Sequence, residues 1–234
     1  MRRTLRLKHA LILAVLVATP IALKAQVPFC AATFDFQTNT LQGFTLSPLT
    51  GANLWHVANN VCQGQLAGHT TPFTLYYGQD QTCNYDTGAQ NGGVATSPLV
   101  NLAGFAGPIT VNFNYLLDIE TAESFDQFIV RFSANGGTFG ELVSKLLLGM
   151  DNAWHAASFD VTSTLGPNPS TAQVRFVFDT VDGLANGGNG VHIDDLTICG
   201  VIAVPVAPRV VLMMLAIFVA AVAAMMLRRR APVV

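Results

Sequence analysis

Apolar and polar side chains alternate in short runs through the middle of the chain. Ile109, Val111, Phe113, Tyr115 and Leu117 are interleaved with Thr110, Asn112, Asn114 and Asp118, and only Leu116 is out of phase. Phe128, Val130 and Phe132 alternate with Gln127, Arg131 and Ser133. Val174, Phe176 and Phe178 alternate with Gln173, Arg175 and Asp179. A period of two with one apolar face predicts half-buried antiparallel strands. Further strands are expected at residues 33–37, 54–58, 73–77, 142–147, 154–161 and 191–199. Turn signals fall at Gly92-Gly93, 104–108, Asn135-Gly136-Gly137, 166–169 and 186–190. Nine or more short strands with such turns predict an all-β sandwich or jelly roll.

The last strand changes phase. Val191 and Ile193 lie on one face and Leu196 and Ile198 on the other, so the slip falls at Asp194-Asp195. A β-bulge there would re-aim two carboxylates. Spacing alone leaves two readings, a metal corner and a solvated strand edge.

The ends of the chain follow other patterns. Arg2, Arg3, Arg6 and Lys8 precede an apolar run, and Leu23-Lys24-Ala25 closes it, which predicts a signal peptide over residues 1–25. Residues 210–227 are uninterrupted and apolar, and Arg228, Arg229 and Arg230 follow. At about 1.5 Å per residue that run spans roughly the hydrocarbon core of a bilayer. The expectation is a transmembrane helix with a basic cytoplasmic tail at 228–234, a linker or sorting motif at 201–209, and an outward-facing domain at 26–200.

Charge sharpens this division. Between the two ends stand only three basic residues, Arg131, Lys145 and Arg175, against all fourteen acids, a formal charge of −11. Such a domain is expected to bind no nucleic acid and to favour divalent cations, calcium first. Cys30, Cys62, Cys83 and Cys199 predict two disulfides, with three pairings open. The favoured set is Cys62–Cys83, closing a short loop, and Cys30–Cys199, tying the first strand to the last.

The order of motifs resembles the MAM and cleaved-adhesin-like family of extracellular jelly rolls. Phe34-Asp35-Phe36-Gln37 is similar to its opening Asp-Phe-Glu strand, with Gln37 in place of Glu, and Gly43-Phe44 follows. Leu54-Trp55-His56-Val57, Gly68-His69-Thr70 and Leu75-Tyr76-Tyr77-Gly78 come next, then Asn84 to Gly88, Ala95 to Pro98 and Phe113-Asn114-Tyr115. Arg175 to Gly183 and the closing Gly190-Val191-His192-Ile193-Asp194-Asp195-Leu196 complete the set. The resemblance covers residues 30–200. It implies a structural calcium where the first and last strands meet, with Asp35, Asp195 and Asp194 as ligands. The tail resembles PEP-CTERM sorting signals, with Val204-Pro205-Val206-Ala207-Pro208 in place of Pro-Glu-Pro, which implies an exosortase-like processing enzyme as a partner; a plain membrane anchor is the other reading.

Three further groups bear on function. Asp118, Glu120, Glu123 and Asp126 form an acidic set, with Asp118, Glu120 and Asp126 as a second cation or acidic site. On a strand Asp118 and Glu120 share one face, and a hydrolase using Glu120 or Glu123 would need two such carboxylates about 5 Å apart. His56, His69, His155 and His192 lie in separate elements with no nucleophile motif beside them. Trp55, Tyr76 and Tyr77 form a sugar-stacking platform if exposed and core if not. The reading that results is an exported, surface-anchored, non-catalytic binding or adhesion module for an extracellular polysaccharide or a surface protein. The alternatives are a polysaccharide hydrolase and a structural envelope protein without a specific ligand.

Overall fold

The computed structural model describes residues 24–205 and, beyond them, residues 213, 214, 216–220 and 222, which are helical. The expected signal peptide lies outside the described residues except at its last two positions, as do much of the apolar run at 210–227 and the whole basic tail. No helix among the described residues is long and apolar enough to cross a membrane. Residues 26–203 form one compact unit, and it is this unit that carries the fold.

The unit is a sandwich of two six-stranded sheets. The first runs β10 (Trp154–Asp160), β7 (Thr110–Asp118), β12 (Gly190–Pro205), β4 (Phe73–Tyr77) and β3 (Trp55–Asn59), with β1 (Lys24–Phe34) also paired to β12. The second runs β2 (Thr45–Thr50), β5 (Gly92–Thr96), β11 (Thr171–Asp179), β8 (Gln127–Ala134) and β9 (Gly140–Ser144), with β6 (Val100–Asn101) paired to β11. Neighbouring strands of known register are antiparallel. From β9 onward the chain crosses between sheets at every strand, so each sheet buries the face that the other presents.

The alternation in the sequence supplies those faces. On β7 and β11 every second residue is buried, and Val111, Phe113, Tyr115 and Leu117 face the core together with Val174, Phe176 and Phe178. Phe176 is the hub, its ring centroid 5.6 Å from Phe113 and 6.4 Å from Phe44, Trp55 and Phe128. Truncating such a buried ring to alanine costs about 3–5 kcal/mol.

Three sequence expectations change here, the first being the strand expected at residues 142–147, which ends at Ser144 and gives way to a 3-10 turn over Lys145–Leu147. Gly92-Gly93, read as a turn, belongs to β5. A β-carbon on Gly93 would lie 1.9 Å from Asn53 Oδ1, and the Trp55 indole N–H donates to Gly93 O at 3.1 Å. The glycine thus serves close approach within a strand, not a bend. The strand expected at residues 33–37 ends at Phe34, and Asp35 to Gln37 enter a turn.

The structure joins Cys30 to Cys199 and Cys62 to Cys83. The second closes a sequence separation of 21 residues, and a loop of that length restricts the unfolded chain by about 3 kcal/mol in the chain-entropy account.

Candidate functional site

The phase slip in β12 is a bulge. Asp194 pairs with Asn114 and Thr197 with Asn112, so Asp195 and Leu196 both oppose Phe113. Asp195 takes the left-handed backbone conformation, with φ +51°, and Leu196 returns to the core. The two carboxylates are thereby set on the segment Gly68 to Thr70. Asp195 accepts from Thr70 N at 3.0 Å, Thr70 Oγ1 at 2.7 Å and Asn114 Nδ2 at 2.8 Å. Asp194 lies 2.8 Å from His69 Nδ1 and accepts from Thr70 Oγ1 at 3.2 Å.

Neither the His69 nor the Asp194 side chain is reached by solvent. His69 Nε2 lies 2.8 Å from Gly64 O, a carbonyl that can only accept, so this nitrogen carries a proton. Burial lowers the His69 pKa, but the bonds to Asp194 and Gly64 outweigh it and hold the ring above its ordinary value. Burial pushes Asp194 up to about 6, against the opposing pull of its bond to His69.

Asp35 does not join this corner as a carboxylate. Its Oδ1 accepts from Gln37 N at 3.1 Å and from Gln42 Nε2 at 2.8 Å, which spends the group on the turn. Its main-chain oxygen, instead, meets Gln37. Gln37 Nε2 donates to the carbonyls of Asp35 at 2.7 Å, Phe73 at 3.0 Å and Thr70 at 3.3 Å, and lies 3.4 Å from Thr70 Oγ1. Gln37 Oε1 is buried without a hydrogen-bond partner. Oxygens that converge in this way, beside an orphaned amide oxygen, suit a hard cation. With the amide turned over, Oε1 would join them and Asp195 would supply the charge. No group of three His, Cys, Asp or Glu stands in a metal-holding arrangement among the described residues, so any such site rests on main-chain oxygens.

The aromatic platform is not a surface. Trp55 is 3% exposed, Tyr76 and Tyr77 0%. Trp55 and Tyr77 face the core and meet edge to face at 5.2 Å. Tyr76 lies on the other face of the first sheet, in a cross-strand row of Trp154, Leu116, His192, Tyr76 and His56. Its ring stacks on His192 at 4.0 Å, and Trp154 stacks on His69 at 4.0 Å. The segment from Cys62 to Thr70 covers this row. Trp154 Nε1 donates to Gln63 O at 3.1 Å, and Gly64 lies against the His192 ring. Leu116, out of phase in the sequence, is fully buried because this strap seals it. Burial, then the His69 and His56 charges, push His192 down to about 3, so its ring is neutral. His56 is set apart at the rim, 2.7 Å from Asp80.

The acidic set divides. Asp118 Oδ2 accepts from Asn189 N and Nδ2, both at 2.8 Å. Asp126 is buried, bonded by the Tyr85 hydroxyl and by Glu120 N at 2.8 Å. Burial pushes its carboxyl up to about 6. Lys145, also fully buried, donates to the carbonyls of Glu120 at 3.0 Å, Ala122 at 2.7 Å and Phe125. An ammonium thus sits on main-chain carbonyls of the segment that carries Glu120, Glu123 and Asp126, and the Asp126 carboxylate itself is buried. Lys145 could have been singled out from the sequence, as one of only three basic residues in the domain. Thr70, the hinge of the corner, has no such signal.

One broad face stays open. On the outer side of the second sheet Thr45, Thr96, Arg175, Arg131 and Glu141 form a row across five strands, and all are half or fully exposed. Val94 and Ile129 lie half-exposed in the next row.

No family model and no curated protein matches this chain. Among solved structures it is similar to TmCBM61 in complex with beta-1,4-galactotriose, at 14% identity and TM-score 0.45, over 70% of this chain and 92% of that one. It is similar to CBM27-1 of Caldicellulosiruptor saccharolyticus in complex with mannohexaose, at 14% identity and TM-score 0.42, over 74% and 97%. The K1 cleaved adhesin domain of Lys-gingipain from Porphyromonas gingivalis is similar at 12% identity and TM-score 0.40, over 74% and 97%.

Proposed function

We propose that this chain is an exported, non-catalytic binding module for polysaccharide, held at the cell surface through its C-terminal segment. The observation that carries the reading is the contrast between the two outer faces. Much of the first sheet's outer face is sealed by the disulfide-tied strap, with His192, Tyr76 and Leu116 fully buried. The second sheet's outer face presents hydroxyls, an amide, guanidinium groups and small apolar patches to solvent, the mixture that a sugar chain's hydroxyls and ring faces can use. Two of the four acids in the acidic set are spent, Asp126 on Tyr85 and the Glu120 amide and Asp118 on Asn189, while Glu120 is half-buried and Glu123 exposed.

Calcium is part of the proposal, as a support for the strand ends and not as a reactant. Gln37 Oε1, the main-chain oxygens of Asp35, Thr70 and Phe73, and the Asp195 carboxylate would hold it. One carboxylate gives weak affinity. The signal peptide, the membrane helix and processing of the tail by an exosortase-like enzyme remain part of the same reading, on the basis of the sequence pattern alone.

The test is retention of the full-length oxidised chain on a panel of insoluble and gel-embedded polysaccharides, with reducing ends assayed in the same samples. Saturable retention without new reducing ends supports the module. Release of reducing ends overturns it in favour of the hydrolase, and retention on no polymer leaves the structural envelope reading.

A further inference from the structure

Arg131 on β8 and Arg175 on β11 are directly paired across the second sheet. They are two of the three basic residues in a domain with fourteen acids, and Lys145, the third, is buried elsewhere. Like charges in direct cross-strand register destabilise a sheet, so the pairing needs compensation. The fold does not supply it from a carboxylate. The only ion pairs within 4.0 Å among the described residues are those of His56, His69 and His155. Glu141 stands in register with Arg131 on the far side but is not among them.

Arg175 is nevertheless held in place. Its guanidinium lies over the Phe139 ring at 3.7 Å, and its Nε donates to Thr96 Oγ1 at 3.0 Å. Burial, and then the Arg131 charge, hold its pKa below the ordinary value. A fixed fork beside a second guanidinium presents several N–H donors to one side, which suits the planar or tetrahedral array of an oxyanion.

We propose that Arg131 and Arg175 form an oxyanion-binding site that takes the charged group of an acidic sugar, a ring-borne carboxylate or a sulfate ester. The proposal rests on the reading of the chain as a polysaccharide module and names its substrate class. The domain's charge of −11 repels a dense polyanion at long range, so the fitting polymer carries its charges sparsely.

The test is affinity electrophoresis of the full-length chain in a polyoxyethylene detergent with chelator present. The gels contain pectin, xanthan or hyaluronan, each with carboxyls free or methyl-esterified, and also dextran sulfate and neutral dextran. Retardation by at least one free-carboxyl polymer is expected. It should weaken about tenfold or more on esterification and in Arg175→Ala, as for loss of charge-assisted hydrogen bonds. Arg175→Lys, which keeps the charge and is less disruptive to folding, should recover part of it, and Arg131→Gln, which relieves the like-charge pair, should weaken binding without lowering the melting temperature. Retardation by dextran sulfate with the same dependence on the two arginines identifies the oxyanion as sulfate. Equal retardation by free and esterified polymers, unchanged in the variants, overturns this inference and leaves the polysaccharide module standing. Retardation by no polymer overturns both.

Discussion

His69 Nδ1 lies 2.8 Å from Asp194 Oδ2, and the two side chains are closed to solvent although 125 residues separate them in the chain. This pair fastens the strap to the bulge of β12, and its proton makes the fastening sensitive to pH. The His69 pKa is raised in the folded protein above its ordinary 6.5. The stability that this shift contributes is therefore fully present below pH 6.5 and lost as the pH rises through the raised value. The melting temperature should fall between pH 6.5 and that point, and His69→Gln should flatten the dependence there. An unchanged slope in the variant would assign the pH dependence to another group.

His192 acts in the opposite sense and at lower pH. Its folded pKa is pushed down to about 3, so between pH 6.5 and 3 the unfolded chain takes up a proton that the folded one refuses. Stability from this group is lost as the pH falls through that window. Burial raises Asp126 and Asp194 to about 6, and these carboxyls gain stability as the pH falls from 6 towards 3.8. The His192 contribution is accordingly read as a difference: His192→Phe should lose less stability than the parent chain on acidification from pH 6.5. Equal losses would contradict its neutral, sealed state.

Much of this fold is legible in the sequence because period-two alternation reports burial directly. β7, β8 and β11 stand where the alternation places them, and the phase slip at Asp194-Asp195 is the bulge. Leu116 marked the sealed row as an exception to alternation, but nothing local says what covers it. The strap comes from 46 or more residues away in sequence, held by Cys62–Cys83 and by Trp154 on Gln63. The same long-range cover turns Tyr76 inward, while Trp55 and Tyr77 fill the core from the other face. Asp35 could not be placed from sequence either, because the choice between a turn amide and a cation depends on Gln42 and Gln37 side chains.

Lys145 tests the closed acidic pocket. Replacing it with Met removes an ammonium from the carbonyls of Glu120, Ala122 and Phe125 and leaves Asp126 buried without a neighbouring cation. Removing one partner of a buried charged network costs about 3–5 kcal/mol. Chemical denaturation of the K145M chain should show a loss of that order. Asp126→Asn made together with it should recover part of the loss. A change below about 0.5 kcal/mol, the size ordinary for surface positions, would contradict the caged ammonium.

Gln37 tests the cation corner. Asp195 is the lone carboxylate of the proposed set, so calcium should raise the melting temperature of the parent chain only at millimolar concentration, as for sites with few charged ligands. Gln37→Glu adds a second charge and should shift the response to lower calcium, and Asp195→Ala should abolish it. A calcium response that survives Asp195→Ala would place the ion elsewhere.

The strap should depend on its disulfide. Cys62→Ser with Cys83→Ser should lower stability by about 3 kcal/mol and raise the solvent exposure of Trp154, read by acrylamide quenching of its fluorescence against the buried Trp55. A loss of stability without added quenching would show that the hydrogen bonds of His69 and Trp154 hold the strap unaided.

The central claim is that the outer face of the second sheet is the binding face. Hydroxyl-radical footprinting of the full-length chain, with and without a polysaccharide that retains it, tests this most directly. Val94, Ile129 and Phe139 should lose reactivity on binding, while Ala156 on the first sheet and Leu147 and Leu184 in the loops keep theirs. Protection of Ala156 or of the loop leucines, with Val94, Ile129 and Phe139 unchanged, would contradict the account.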